Sequence, residues 1–185
     1  MSSDAIIGFI FGVLSSLVSG VVLFWLQGRR DIQNEILRQR REDIRVARNW
    51  GKEEKKVSLR GFDLAGANLS GKDLSGADLE DANLEGAQLW ATNLSGANLI
   101  RARFRNAKLV GTKLNGTKLL LSDFTGAYLK DIDFSGAKLR RAKFLKLKEI
   151  SNCIWKDVEY DETTEVSGEL LKEIQKQASS KNENP

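Results

Sequence analysis

Residues 66–100 read GANLSGKDLSGADLEDANLEGAQLWATNLSGANLI, and a leucine falls on every fifth position from Leu69 to Leu99. The pattern runs outward in both directions. Leu or Phe occupies each fifth residue from Leu59 to Phe144, eighteen in succession, with phenylalanine at 104, 124, 134 and 144. Two residues before each large side chain stands a usually small one, as at Ala67, Ala77, Ala87 and Ala97, with Thr92, Thr112, Thr117 and Ser122 as near-equivalents. Two residues after it glycine is common, as at Gly61, Gly66, Gly71 and Gly76.

A period of five excludes the ordinary elements. On an α-helix each step of five rotates by roughly 140°, scattering the leucines over every face. On a straight strand an odd step sends successive leucines to opposite faces. Yet the small and large residues, two apart, share a face locally. Both conditions hold if the chain turns a corner once per unit, with glycine easing the bend. The side chains then stack in a closed core if the turns wind into a solenoid, each coil resting on the last.

Units such as ANLSG, ADLED, ANLEG and ANLIR closely resemble the pentapeptide-repeat consensus, over residues 57 to about 146, roughly half of the chain. That resemblance implies a mainly β fold, a right-handed quadrilateral β-helix with four units per coil. Eighteen units then make four and a half coils, about 20 Å of rod at ~4.8 Å per coil. Full burial of the large side chains would contribute roughly 27–54 kcal/mol before chain entropy is subtracted, so the core needs no ligand to form.

Three departures shape the expected ends. Lys72 occupies a small inward slot, from which its ammonium has to snorkel. Phe62 and Ile132 overfill slots of the same kind. At position 149 the register delivers Glu149 where a core leucine is due, so the rod, residues 57–148, is expected to end there. Residues 149–178 then form a cap, with Ile150, Ile154, Trp155, Val158 and Tyr160 as a lid over the last coil. A short helix over 167–176, with Leu170, Leu171 and Ile174 along one side, completes it. Residues 179–185, SSKNENP, read as a disordered tail.

Ahead of the repeat the chain changes character. From Ala5 to Leu26 it carries no charge, and at about 1.5 Å per residue this run reaches roughly 33 Å, enough for a bilayer core of about 30 Å. Residues 1–27 are therefore expected to form a transmembrane helix. A cleaved signal peptide is the competing reading, but MSSD offers no Lys or Arg and no A-x-A site follows. Arg29, Arg30, Arg38, Arg40, Arg41, Arg45 and Arg48 come after the span, which places the N-terminus outside and the β-helix domain in the cytoplasm of a single-pass membrane protein. Gly8, Gly12, Ser16 and Gly20 recur at every fourth position. They offer a groove for close helix packing, set against the plain frequency of small residues in membrane helices. Residues 28–56 read as a charged juxtamembrane helix or linker, the helix ending near Trp50-Gly51. Ile32, Ile36, Val46 and Trp50 line one side, and Gln39 and Asp43 interrupt it, which disfavours a dimeric coiled coil. Its arginines either touch anionic headgroups or only fix topology.

Composition bounds the chemistry. The 185 residues include no histidine and one cysteine, which removes the commonest general base, the triad base and any multi-cysteine zinc site. Asp63, Asp73 and Asp78 fall on outward positions of a solvated wall, and Cys153 lies among apolar residues where a packed thiol is expected. The chain is accordingly read as a non-enzyme with no catalytic residue, cofactor, metal or small-molecule substrate.

Charge is the clue to partners. Residues 59–100 hold two bases against six acids, net −4; residues 101–148 hold thirteen bases against Asp123, Asp131 and Asp133, net +10; residues 149–185 return to net −5. Within the basic band Arg103, Lys108, Lys113 and Lys118 repeat one outward position in four successive units, one per face of a four-sided rod, with Arg105 beside them. The expected role is docking on an acidic protein partner or on membrane headgroups, against the plain alternative that these charges solvate the surface. Nucleic acid is not expected, because a ring is not a stripe and only Trp90 and Tyr128 are obvious outward aromatics. Some pentapeptide-repeat proteins mimic DNA and bind gyrase; a membrane-tethered inhibitor of that kind is the alternative function, disfavoured by the basic surface. The favoured expectation is a membrane-anchored scaffold within a membrane complex, or a homo-oligomer joined through its transmembrane helix.

Overall fold

The computed structural model describes the backbone of residues 3–51 and 57–178, and the side chains of residues 22–51 and 57–177. Helix α1, Ser3–Asn49, leads into the repeat. Five short strands follow: β1 (Lys108–Val110), β2 (Tyr128–Lys130), β3 (Lys143–Phe144), β4 (Glu149–Ser151) and β5 (Glu165–Val166), and helix α2 (Gly168–Ala178) closes the chain. The chain divides after Arg41 into two compact units.

The first unit is the greater part of α1. Among the described residues no helix is long and apolar enough to cross a membrane. The uncharged run 5–26 lies mostly ahead of residue 22, and Gly8, Gly12, Ser16 and Gly20 all do, so both fall outside the residues whose side chains are described. Beyond them the Arg29 guanidinium lies 4.0 Å from the Trp25 ring centroid, and Ile32 and Ile36 are exposed.

The second unit is a parallel β-helix, and its pairing states the coil length directly. Asp63 bridges Asn83, Asn83 bridges Arg103, and Arg103 bridges Asp123, each pair parallel and 20 residues apart. Four pentapeptides thus close one coil. Strands β1, β2 and β4 make one parallel sheet and β3 and β5 another, while single bridges supply the rest of the ladder. At most corners the large residue accepts a hydrogen bond from the residue three positions on, as Ala67 N–H to Leu64 C=O at 3.0 Å and Ala97 N–H to Leu94 C=O at 3.0 Å. The second residue after each large one has positive φ, as in a type II turn. Glycine fills that place in only some units. Asp81, Ala91, Arg101, Asn106, Leu121, Asp131, Arg141 and Lys146 adopt it too, each at a cost of about 1–2 kcal/mol.

Inside, the large residues stack in four columns. Leu64 and Leu84 lie in one column with Phe104, Phe124 and Phe144, whose rings are parallel at 4.6 and 4.8 Å. Leu74, Leu94 and Leu114 lie in another that ends in Phe134 and Trp155, parallel at 4.4 Å. The two aromatic columns meet edge-on, at 6.2 Å for Phe124 and Phe134. The hydroxyls of Thr92 and Thr112, buried in small slots, donate to the carbonyls of Leu69 and Leu89 at 2.9 and 2.6 Å, so neither is left unsatisfied. Ile132 is fully buried, and Phe62 and Lys72 are half-buried.

The rod does not end before Glu149. Tyr128 pairs with Glu149 and Leu129 with Ile150, so the coil there takes 21 residues instead of 20. The extra residue enters at Lys148-Glu149: Gly126 N–H reaches Leu145 C=O and Lys148 N–H reaches Ala127 C=O in the old register, whereas Asp131 N–H reaches Ser151 C=O and Ile154 N–H reaches Ile132 C=O in the new one. Glu149 therefore faces outward. Trp155 takes the core position, Cys153 the slot behind Ile132, and the Thr164 hydroxyl donates to Leu139 C=O at 3.2 Å just as Thr112 does to Leu89. The expected lid is in fact a further coil.

Side chains close both ends. The Asp43 carboxylate accepts from Asp63 N–H at 3.0 Å and Arg48 Nε donates to Asn68 C=O at 3.2 Å, occupying places that a preceding coil would fill. Ala47 is buried between them, in the last turns of α1. At the other end Leu170 and Ile174 of α2 are buried, and the Gln177 amide accepts from Trp155 N–H and donates to Cys153 C=O. Capped edges of this sort keep one β-helix from pairing with the next.

Candidate interaction surface

The outward position just before each large residue explains the wall. Asp or Asn there accepts from the backbone N–H two residues on, as Asp73 Oδ1 from Ser75 N–H at 3.0 Å and Asn93 Oδ1 from Ser95 N–H at 3.1 Å. This Asx turn pre-shapes the corner. The same groups also bond between coils, Asn83 to Asp63 at 2.9 Å, Asn93 to Asp73 at 3.0 Å and Asn98 to Asp78 at 3.0 Å. The carboxylates of Asp63, Asp73 and Asp78 are thus part of the fold.

In the basic band the same position abandons that device. Arg103 stands between Asn83 and Asp123, Lys108 between Gln88 and Tyr128, Lys113 between Asn93 and Asp133, and Lys118 between Asn98 and Lys138. All four are exposed, on four different ladders, so the structure sets them round the third coil and brings no two onto one face. Neither Arg nor Lys can accept the corner N–H. Replacing all four with asparagine is expected to raise stability by about 0.5 kcal/mol per site, as restored Asx bonds would, read as a higher melting temperature in thermal denaturation.

The rim of the band is already paired. Arg60 and Arg101 clasp Glu80 and Asp81 from adjacent coils, with Arg60 Nη1 2.9 Å from Glu80 and Arg101 Nε 2.6 Å from Asp81. Hydrogen bonds from Arg101 hold the Asp81 carboxyl below the usual carboxylate range. Arg105 Nε donates to Asp123 Oδ2 at 2.6 Å, which ties Arg105 down and separates it from the other four. Lys138 meets Glu159 at 3.2 Å, and Lys143 meets Glu165 at 2.9 Å. Each exposed pair contributes little to stability. Their consequence is that the acidic flanks neutralise the edges, while among the described residues Arg103, Lys108, Lys113 and Lys118 reach no acid.

Cys153 is 4% exposed, and burial pushes its thiol up to about 11. Thiolate is the reactive form, so at pH 8 a thiol reagent should label the folded chain about a hundredfold more slowly than the unfolded one, as followed by stopped labelling with and without denaturant. Above pH 9 the unfolded chain releases a proton that the folded one keeps, so this group's contribution makes stability fall as pH rises. Among the described residues no three His, Cys, Asp or Glu side chains converge as a metal site. A shallow cleft of about 240 Å³ lies beside Val46, Trp50 and Phe62, smaller than a usual ligand site.

Comparison with known families finds a match to pentapeptide repeats, eight copies over residues 58–89, 82–119 and 121–148. Among solved structures the chain is similar to a pentapeptide repeat protein from the Arabidopsis thaliana thylakoid lumen, at 24% identity and a TM-score of 0.54, covering 66% of this chain and 84% of that one. A pentapeptide repeat protein from Nostoc PCC 7120 is 29% identical, with a TM-score of 0.42, over 56% of this chain and 82% of that one. No curated protein matches the chain.

Proposed function

This chain belongs to the pentapeptide-repeat family, and from that premise we propose that it is a non-enzymatic, membrane-anchored scaffold whose basic band docks an acidic face of a protein partner. One observation carries the reading. Arg103, Lys108, Lys113 and Lys118 occupy positions where the fold favours Asn or Asp, stand exposed, and reach no acid among the described residues. Folding does not require them, so binding is the simplest reason for their charge. The uncharged run 5–26 supports the anchor, and the arginines behind it support a cytoplasmic rod.

The test compares the full chain, extracted in mild detergent with its associated proteins, with the variant carrying R103N, K108N, K113N and K118N. The band reading expects the variant to fold with equal or greater stability and to lose its partners. Partners retained at wild-type salt resistance contradict it. A parallel variant with leucine at Gly8, Gly12, Ser16 and Gly20 asks whether association instead runs through the apolar helix.

A further inference from the structure

One corner of the tube carries a feature that neither folding nor the basic ring explains. Three turns stack there, closed by Ala102 N–H to Leu99 C=O, Ser122 N–H to Leu119 C=O and Ala142 N–H to Leu139 C=O. Their central pairs are Ile100-Arg101, Leu120-Leu121 and Arg140-Arg141. Leu121 has φ 62 and is 37% exposed. Among the described residues it is the one large apolar side chain in the left-handed region; the other non-glycine occupants are Asp, Ala, Arg, Asn and Lys. Leucine is doubly unfavourable at such a place, since glycine removes the strain and a polar side chain removes the exposure. Residues kept in strained conformations on a surface point to a contact made there.

The surroundings indicate what that contact is. Leu120 lies half-buried beside Ile100 on the preceding coil, where Arg101 N–H donates to Leu120 C=O at 2.9 Å. Lys118 and Arg141 are exposed on either side and reach no acid among the described residues. Of the carboxylates around it, Glu80 and Asp81 are held by Arg60 and Arg101, Asp123 by Arg105, and Asp161 lies 4.0 Å from Arg140. A convex corner with leucine at its tip and unpaired cations on its flanks has no groove to receive a peptide. It matches the boundary of an anionic bilayer, where alkyl groups enter the acyl edge and ammonium and guanidinium groups meet phosphates.

We propose that the Leu120-Leu121 corner is a membrane-contact site for an anionic lipid surface, with Leu121 inserted and Arg141 on lipid phosphates. It rests on the proposed function only in requiring the chain to be at a membrane. The experiment follows amide hydrogen exchange of residues 118–123 in the full chain. The chain is reconstituted into vesicles of phosphatidylcholine alone, or of phosphatidylcholine mixed three to one with phosphatidylglycerol. Exchange on the anionic vesicles is expected to be at least roughly fivefold slower, with the difference lost in high salt. Leu121→Gly should melt at a higher temperature than wild type yet lose the lipid-dependent protection, which a purely structural leucine would not do. Equal exchange on both vesicles, or protection that persists in Leu121→Gly, overturns the contact. So does protection that appears only when a protein partner is added, which would assign the corner to a protein pocket. A chain that associates with neither vesicle contradicts membrane attachment itself, whereas one anchored in both without lipid dependence contradicts the corner contact alone.

Discussion

Leu99→Lys is expected to abolish cooperative unfolding of the rod, whereas Asn98→Lys, one residue away, should leave a folded protein. Leu99 is fully buried in a column between Leu79 and Leu119. A lysine there has no carboxylate to meet and no route to water along a filled core. It would have to give up its proton, and a shift of 3–5 pKa units costs roughly 4–7 kcal/mol, before the lost leucine transfer energy is added. Single domains are stable by about 5–15 kcal/mol, so this change alone removes most or all of the margin. At Asn98 the side chain faces outward, bonded to Asp78 at 3.0 Å. Lysine there forfeits a ladder bond, about 1 kcal/mol. Circular dichroism melting of the two variants checks the contrast; similar melting would contradict the inward-outward assignment.

Trp155→Ala should cost about 3–5 kcal/mol in denaturant unfolding. Were residues 149–166 a loose lid, the loss would be near that of a half-exposed contact. The structure gives Trp155 a full core place: it is completely buried, parallel to the Phe134 ring at 4.4 Å and edge-on to Phe144 at 5.8 Å. Its neighbours are also bound up with the cap, since its own N–H donates to Gln177. Removal therefore leaves a cavity at the point where the last coil and α2 meet. A loss below about 1.5 kcal/mol would show that the coil beyond Lys148 contributes little to the core.

Those two sites illustrate what the sequence could and could not reveal. The inward ladder was legible because each unit repeats the same local demand, a large residue at every fifth position and a turn between. The slip at Lys148-Glu149 is harder to read, because register between coils resides in pairings 20 or 21 residues apart. A signal did exist: Ile150, Trp155 and Tyr160 resume the period of five, one residue out of phase, with Cys153 and Val158 in the slots two before. Asp43 offers a similar lesson. Along α1 it interrupts an apolar line, yet its carboxylate meets the first coil's Asp63 N–H, a long-range role that helical periodicity does not display. At the candidate surface, the placement of Arg103, Lys108, Lys113 and Lys118 on separate faces followed from four units per coil. The tie from Arg105 to Asp123 and the corner bonds of the outward Asx residues depend on side-chain geometry that the repeat pattern does not display. Nothing in the sequence marks Leu121, because exposure and positive φ together, not its identity, make it unusual.

The most direct test of the stacked-coil architecture is the set of amide-to-α-proton cross-peaks between strands, recorded by nuclear magnetic resonance on the isotope-labelled full chain. The architecture predicts contacts linking residues 20 apart, such as 83 with 103 and 93 with 113, changing to 21 apart for 128 with 149 and 133 with 154. Cross-peaks three or four residues apart through 59–144, or a spacing that stays at 20 past residue 149, would contradict it.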